Sequence, residues 1–190
     1  QELLADEKKA NMVLLRGFSS LPNLPDFGVA YRLNPVAIAA YPMYRGLAKL
    51  AGMKVIETGE TFDDELNTVE QHIDEHDFVF LHYKPADAAG EDGDFDAKVS
   101  RLEELDARIP RILNIGGDVL VVAGDHSTPA IMASHSWHPV PLLINSKLTA
   151  QEGIDNFNER TCATGQLGRI PATNVMLLAM AHAGKLDRFG

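Results

Sequence analysis

The chain has 190 residues, the size of one domain, and 45% of them are hydrophobic, enough to bury a core. Seventeen basic residues against 27 acidic ones leave a net charge of −10, which excludes a basic face for nucleic acid. If the ligand is a phosphate ester, a local cationic site has to overcome this repelling field, and metal ions do that well.

Cys162 is the one cysteine, so no disulfide forms within the chain. That fits a reducing cytoplasm, with Cys162 as a small packing residue. No apolar run approaches the roughly 20 residues that span a bilayer. The charged start, residues 1–9, does not resemble a signal peptide. It reads as the end of a helix, and we expect it to lie mid-protein.

Residues 12–15 (Met, Val, Leu, Leu) predict a short buried strand, followed by Arg16 and Gly17. Residues 18–32, rich in Pro, Ser and Asn, read as loop. Asn34 followed by Pro35 predicts an N-cap and first helical position, with a helix to about Leu50 that stops at Gly52. Residues 53–57 predict a strand. Thr61 and the acids after it open a helix that ends near His76. Residues 77–83 predict a strongly apolar strand, and 84–94 a polar, Gly-containing loop. Residues 95–114 read as helix, interrupted around Pro110. Residues 118–123 are the clearest strand pattern in the chain. A loop at 124–139 precedes a strand at 140–144. Residues 151–169 are poorly patterned, and 172–183 predict a final helix.

Strands alternating with helices predict an α/β fold, a mainly parallel sheet with helices on both faces. Ligands in such folds gather at the carboxyl ends of the strands. Two predicted strand ends carry unusual chemistry.

One is Gly124-Asp125-His126-Ser127-Thr128-Pro129, where Asp125 and His126 offer an oxygen and a nitrogen ligand side by side. Gly124 would let the backbone turn to aim them. An Asx turn with an exposed histidine is the plainer alternative. The other follows Tyr83, where Asp87, Glu91, Asp92 and Asp94 place four carboxylates within eight residues. A solvated acidic loop is the alternative to a hard-cation site. His135 lies nine residues beyond His126 and adds a third candidate donor. Together these groups could hold two metals roughly 4 Å apart around a transferring phosphoryl group. Lys84 is placed either to meet a phosphate or to pair with Asp87. His72 and His76 read as surface or packing residues, His82 as a satisfied core histidine, and His182 as a partner of terminal carbonyls. Gly165 and Gly168 do not form a phosphate-cradling loop.

Residues 118–129, residues 82–90 (His-Tyr-Lys-Pro-Ala-Asp-Ala-Ala-Gly), and His135 before Pro139 and Pro141 together resemble the archaeal-type cofactor-independent (2,3-bisphosphoglycerate-independent) phosphoglycerate mutases of the alkaline phosphatase superfamily. Arg16, Gly17 and residues 165–170 look like that family too. The resemblance covers nearly the whole chain, and Asp125 to Pro129 is its most specific piece.

The resemblance implies an alkaline-phosphatase-like fold and two divalent metal ions, manganese first, with magnesium, cobalt or zinc as alternatives. It implies that Asp125 and His126 bind one metal and that Asp87 and His135 bind the other. The family's histidine four residues after Asp87 is replaced here by Glu91, whose carboxylate can still ligate. The implied reaction interconverts 3-phosphoglycerate and 2-phosphoglycerate through a phosphoserine, with a small phosphorylated substrate, no nucleic acid and no membrane, in the cytoplasm. Lys84 is the candidate catalytic cation.

Family members resemble chains about twice as long, with a nucleophilic serine upstream and an inserted substrate domain. Ser19, Ser20 and Ser127 are not in that serine's context. Residues 1–190 are therefore expected to be the C-terminal portion of the metal-binding catalytic domain, inactive alone. The competing readings are a related metal-dependent phosphatase or phosphomutase, and a non-catalytic regulatory module.

Overall fold

The computed structural model describes residues 17–149 and 156–186, together with positions 6, 7, 9, 12, 14 and 15. Its sequence alternates strands and helices, as the pattern predicted. The first half runs α1 (Phe27–Tyr31), β1 (Pro35–Ile38), α2 (Pro42–Leu50), β2 (Lys54–Ile56), α3 (Phe62–His72) and β3 (Phe78–Leu81). The second half runs α4 (Pro85–Glu91), α5 (Phe95–Asp106), α6 (Ile109–Ile115), β4 (Val119–Ala123), β5 (Leu142–Ser146), α7 (Glu159–Cys162) and α8 (Val175–His182).

The first three strands form a parallel sheet in the order β2-β1-β3. Strand β1 is central. Val36, Ala37, Ile38 and Ala39 are all at most 1% exposed. Val36 and Ile38 pack with Val69 of α3, flanked by Ile56, Ile73, Val79, Leu81 and Ile115. The chain leaves β1 for one edge through α2, then crosses to the other edge through α3. Right-handed crossovers in opposite directions put these helices on opposite faces of the sheet. This is the two-sided cover that the alternation implied.

Pro35, just after Asn34, starts β1 instead of a helix. The apolar run from Pro35 to Ala39 is buried on both faces, which is what a central parallel strand demands. Pro35 is tolerated as the strand's first residue. The helical start falls seven residues later, with Pro42 in the first turn after Tyr41. Thr61 behaves as its sequence predicts: its hydroxyl accepts from Asp64 N, and Asp64 returns the bond to Thr61 N.

Residues 84–94 depart from the expected loop. Pro85 opens α4, and Asp94 caps α5 by accepting from Ala97 N. Residues 18–32 contain the short α1, capped by Asp26. Strands β4 and β5 pair antiparallel, so the parallel arrangement is confined to the first three strands. Pro110 sits in the first turn of α6, where its missing N–H costs nothing. Of the first expected strand, Met12, Leu14 and Leu15 are exposed and lie in no strand, while Val13 and Arg16 are outside the described residues. So are residues 151–155 of the poorly patterned stretch. Among the described residues no helix is long and apolar enough to cross a membrane.

Candidate metal centre

Two chain segments meet beyond the carboxyl ends of β3 and β4. Helix α4 begins four residues after β3, and Asp87 and Glu91, one helical turn apart, share a face. After β4 the chain presents Asp125 and His126. It then returns through a bridge in which Ser136 N donates to Ser127 O at 2.9 Å. That bridge brings His135 back beside His126, and the two rings stack with centroids 3.7 Å apart.

Asp87 Oδ1 lies 3.8 Å from His126 Nδ1 and 3.9 Å from His135 Nε2. Glu91 Oε1 lies 3.2 Å from His135 Nε2. Asp125 Oδ2 lies 3.4 Å from His126 Nε2. One donor atom from each of Asp87, His126 and His135 falls within 4.8 Å of the others. Two imidazoles and a carboxylate at this spacing are a donor set that a divalent ion fits. The five residues singled out as ligands in the sequence, Asp87, Glu91, Asp125, His126 and His135, therefore all meet in one place.

Lys84 joins them as an ion-pair partner. Its Nζ pairs with Asp87, lies 3.4 Å from Glu91 and sits 5.4 Å from the centre of the Tyr41 ring. Burial alone would favour the neutral form of Asp87, but hydrogen bonds from Lys84 and Thr128 and nearby positive charge hold it below the usual carboxylate range. Burial likewise opposes the charge on Asp125, but the hydrogen bond from Tyr44, the neighbouring His126 and backbone N–H donors together outweigh it, so this carboxyl also titrates low. Both groups are ready-made anions.

Two partners escaped the sequence reading. Tyr44, on α2, donates its hydroxyl hydrogen to Asp125 Oδ2, and burial followed by that bond drives the phenol pKa up. Nothing local marks a tyrosine 81 residues away from its carboxylate. Thr128 lies inside the quoted motif, yet a small hydroxyl gives no pattern signal; its role emerges only from contacts with Asp87 and His126.

Other expectations are corrected. His82 follows β3, stacks on Tyr44 at 3.6 Å, and its buried Nδ1 has no hydrogen-bond partner among the described residues. It is not the satisfied core histidine expected, and burial lowers its pKa. His182 meets Ser146 Oγ at 3.0 Å instead of terminal carbonyls. Gly124 adopts no left-handed conformation; an added Cβ would press on Val140 Cγ1 at 3.3 Å, so close packing is what it serves. His138 bonds Ser136 Oγ and stacks on Trp137. His72 lies 3.7 Å from Glu75 on the next turn, and His76 meets the Asn34 carbonyl, 42 residues away, at 3.2 Å.

Residues 6–182 match the family model of the metalloenzyme superfamily. The chain belongs to the metalloenzyme superfamily. A curated relative from Thermosipho melanesiensis, named a probable 2,3-bisphosphoglycerate-independent phosphoglycerate mutase, is 52% identical over all of this chain and 47% of its own length. Relatives of the same name from Thermotoga neapolitana and Aquifex aeolicus are 54% and 47% identical, again over the whole chain and 47% of theirs. The chain thus spans about half the length of the curated relatives it matches.

Among solved structures, a Pyrococcus horikoshii protein superposes with a TM-score of 0.87 at 30% identity, over 92% of this chain and 56% of that one. A cofactor-independent phosphoglycerate mutase from Thermoplasma acidophilum gives 0.69 at 25% identity, over 86% and 40%. This metalloenzyme-superfamily chain therefore shares its mixed α/β fold with them, and its Asp87, His126 and His135 are grouped closely enough to hold a metal ion.

Proposed function

We propose that this chain is the C-terminal, metal-binding portion of the catalytic domain of a phosphoglycerate mutase, which interconverts 3-phosphoglycerate and 2-phosphoglycerate. The observation that carries the reading is the convergence of Asp87, His126 and His135 with Asp125 and Glu91. The names of relatives at 44–54% identity support it. A small phosphorylated acid is the substrate and the cytoplasm the compartment.

In this reading Asp125 and His126 hold one divalent ion, and Asp87, His135 and Glu91 hold the other. When bound, the ions would supply positive charge to the attacking oxygen and to the phosphoryl oxygens. Glu91 makes the second donor set richer in oxygen than a histidine there would, which favours manganese or magnesium over zinc. Asp87 and Asp125 are held ionised by Lys84, Thr128 and Tyr44 before any ion arrives. Lys84 adds an ammonium at the edge of the cluster, where it orients a phosphate.

The phosphoryl group passes from the substrate hydroxyl to a serine and back to the neighbouring hydroxyl. Ser127 is not that serine, because its Oγ–H is directed at the His138 carbonyl, 3.3 Å away. We assign the acceptor to the part of the relatives' length that this chain does not span.

The test is a coupled assay of the full-length protein with manganese, run beside a measurement of free phosphate. Formation of 2-phosphoglycerate without phosphate release supports the mutase. Phosphate release without isomerisation would make the protein a phosphatase of the same architecture. Absence of both, with metal bound, would leave a non-catalytic module.

A further inference from the structure

Thr128 stands two residues beyond His126 and is 4% exposed. Its Oγ1 lies 2.5 Å from Asp87 Oδ1 and 3.1 Å from His126 Nδ1. A threonine hydroxyl has one proton to give. Asp87, ion-paired with Lys84, is a carboxylate and can only accept. The hydroxyl proton therefore points to Asp87, and Oγ1 faces His126 with a lone pair. For that contact to be a hydrogen bond, Nδ1 must carry the hydrogen. In a neutral imidazole a hydrogen on Nδ1 leaves the lone pair on Nε2. Nε2 is the nitrogen turned towards Asp125, 3.4 Å from Oδ2.

The seat of Thr128 is itself fixed. Lys98 Nζ donates to the Thr128 carbonyl at 2.5 Å. Gly90 brings α4 against the same residue: an added Cβ would run into the Thr128 carbonyl oxygen and come within 3.1 Å of its Cγ2. The hydroxyl is thereby held between the two groups it bridges, leaving little room to choose other partners.

We infer that Thr128 is a positioning residue that sets His126 as the Nδ1–H tautomer and so presents the Nε2 lone pair beside Asp125. The same hydroxyl ties Asp87, of one proposed ligand set, to His126, of the other. What binds at Nε2 rests on the metal-centre reading above; the tautomer does not.

The decisive measurement is long-range proton–nitrogen NMR on the metal-free chain labelled with ¹⁵N-histidine, at a pH above the histidine range. Wild type and Thr128→Ser should show the Nδ1–H pattern for His126, and Thr128→Val should lose it. Manganese affinity by calorimetry should fall about 10–100-fold in Thr128→Val, the usual scale for losing an outer-shell partner, and Thr128→Ser should restore it. A wild-type His126 protonated on Nε2 would overturn the inference, even if the valine variant failed to fold. So would wild-type manganese affinity in a folded Thr128→Val protein. An Nδ1–H wild type that binds no manganese would support the tautomer and sink the metal reading, which keeps the two apart.

Discussion

Glu65 is a carboxyl group in a place that disfavours its charge. It is 3% exposed on α3, just past the carboxyl end of β1, where its Oε1 accepts from Ala40 N at 2.5 Å. Burial raises its pKa from 4.5 to about 7, against the opposing effect of that hydrogen bond. The folded protein then holds a proton that the unfolded chain gives up. The stability this contributes is fully present below pH 4.5 and is lost as pH rises through about 7. The gap corresponds to about 3 kcal/mol, a large fraction of ordinary domain stability. Glu65→Gln keeps the length and an acceptor for Ala40 but cannot ionise. Urea unfolding of both proteins between acid and mildly alkaline pH compares them directly. The wild type should lose about 3 kcal/mol relative to the variant across that window. The same groups elsewhere titrate in both proteins and cancel in the difference. A difference that stays flat with pH would refute the buried, protonated carboxyl.

Glu91→His should raise affinity for zinc or cobalt relative to manganese, and Glu91→Ala should weaken binding of all three ions; identical metal titrations for the wild type and both variants would show that Glu91 is not a ligand. Gly90→Ala, which in an ordinary helix interior stabilises by up to about 1 kcal/mol, should instead lower the melting temperature, because the new Cβ meets the Thr128 carbonyl; a rise would mean α4 and Thr128 are not packed this closely. The 190-residue chain with manganese should not turn over 3-phosphoglycerate in the coupled assay, and robust turnover would place the acceptor serine among these residues.

The candidate ligands were legible because they sit in short, chemically dense strings. Asp125 and His126 are adjacent, Asp87 and Glu91 are four apart, and each string follows an apolar strand. The apolar strands β3 and β4 were equally plain, though both are only half-buried. What misled was chemistry with two meanings. Asn34 and Pro35 are a good helix start, but they also begin a run apolar enough for the centre of a sheet, and burial decided the matter. Gly90 and the acids around it suggested a loop, but in α4 that glycine is where Thr128 approaches. The antiparallel pairing of β4 with β5 left no trace either, since alternation of apolar residues does not encode strand direction. Tyr44 and Thr128 act through contacts 81 and 41 residues away, which no local pattern reports.

The charge balance of the cluster links these observations. Asp87, Glu91 and Asp125 bring three carboxylates, and Lys84 brings one ammonium. With the histidines neutral, two negative charges are uncompensated in a chain whose net charge is already −10. Such a site repels a phosphate ester, and Asp87 and Asp125 nonetheless stay ionised, because Lys84 and Thr128 donate to the first and Tyr44 to the second. Donors that keep acids charged in an acidic field fit the cation-holding role proposed above. Lys84 is tethered three residues before Asp87 and can follow that carboxylate or turn from it. In the function proposed above, carboxylates that hold a cation would release the Lys84 ammonium for an incoming phosphate. Under that function, the ion pair and the phosphate contact, two readings that the sequence left open for Lys84, would be two states of one residue, ordered by what the carboxylates hold.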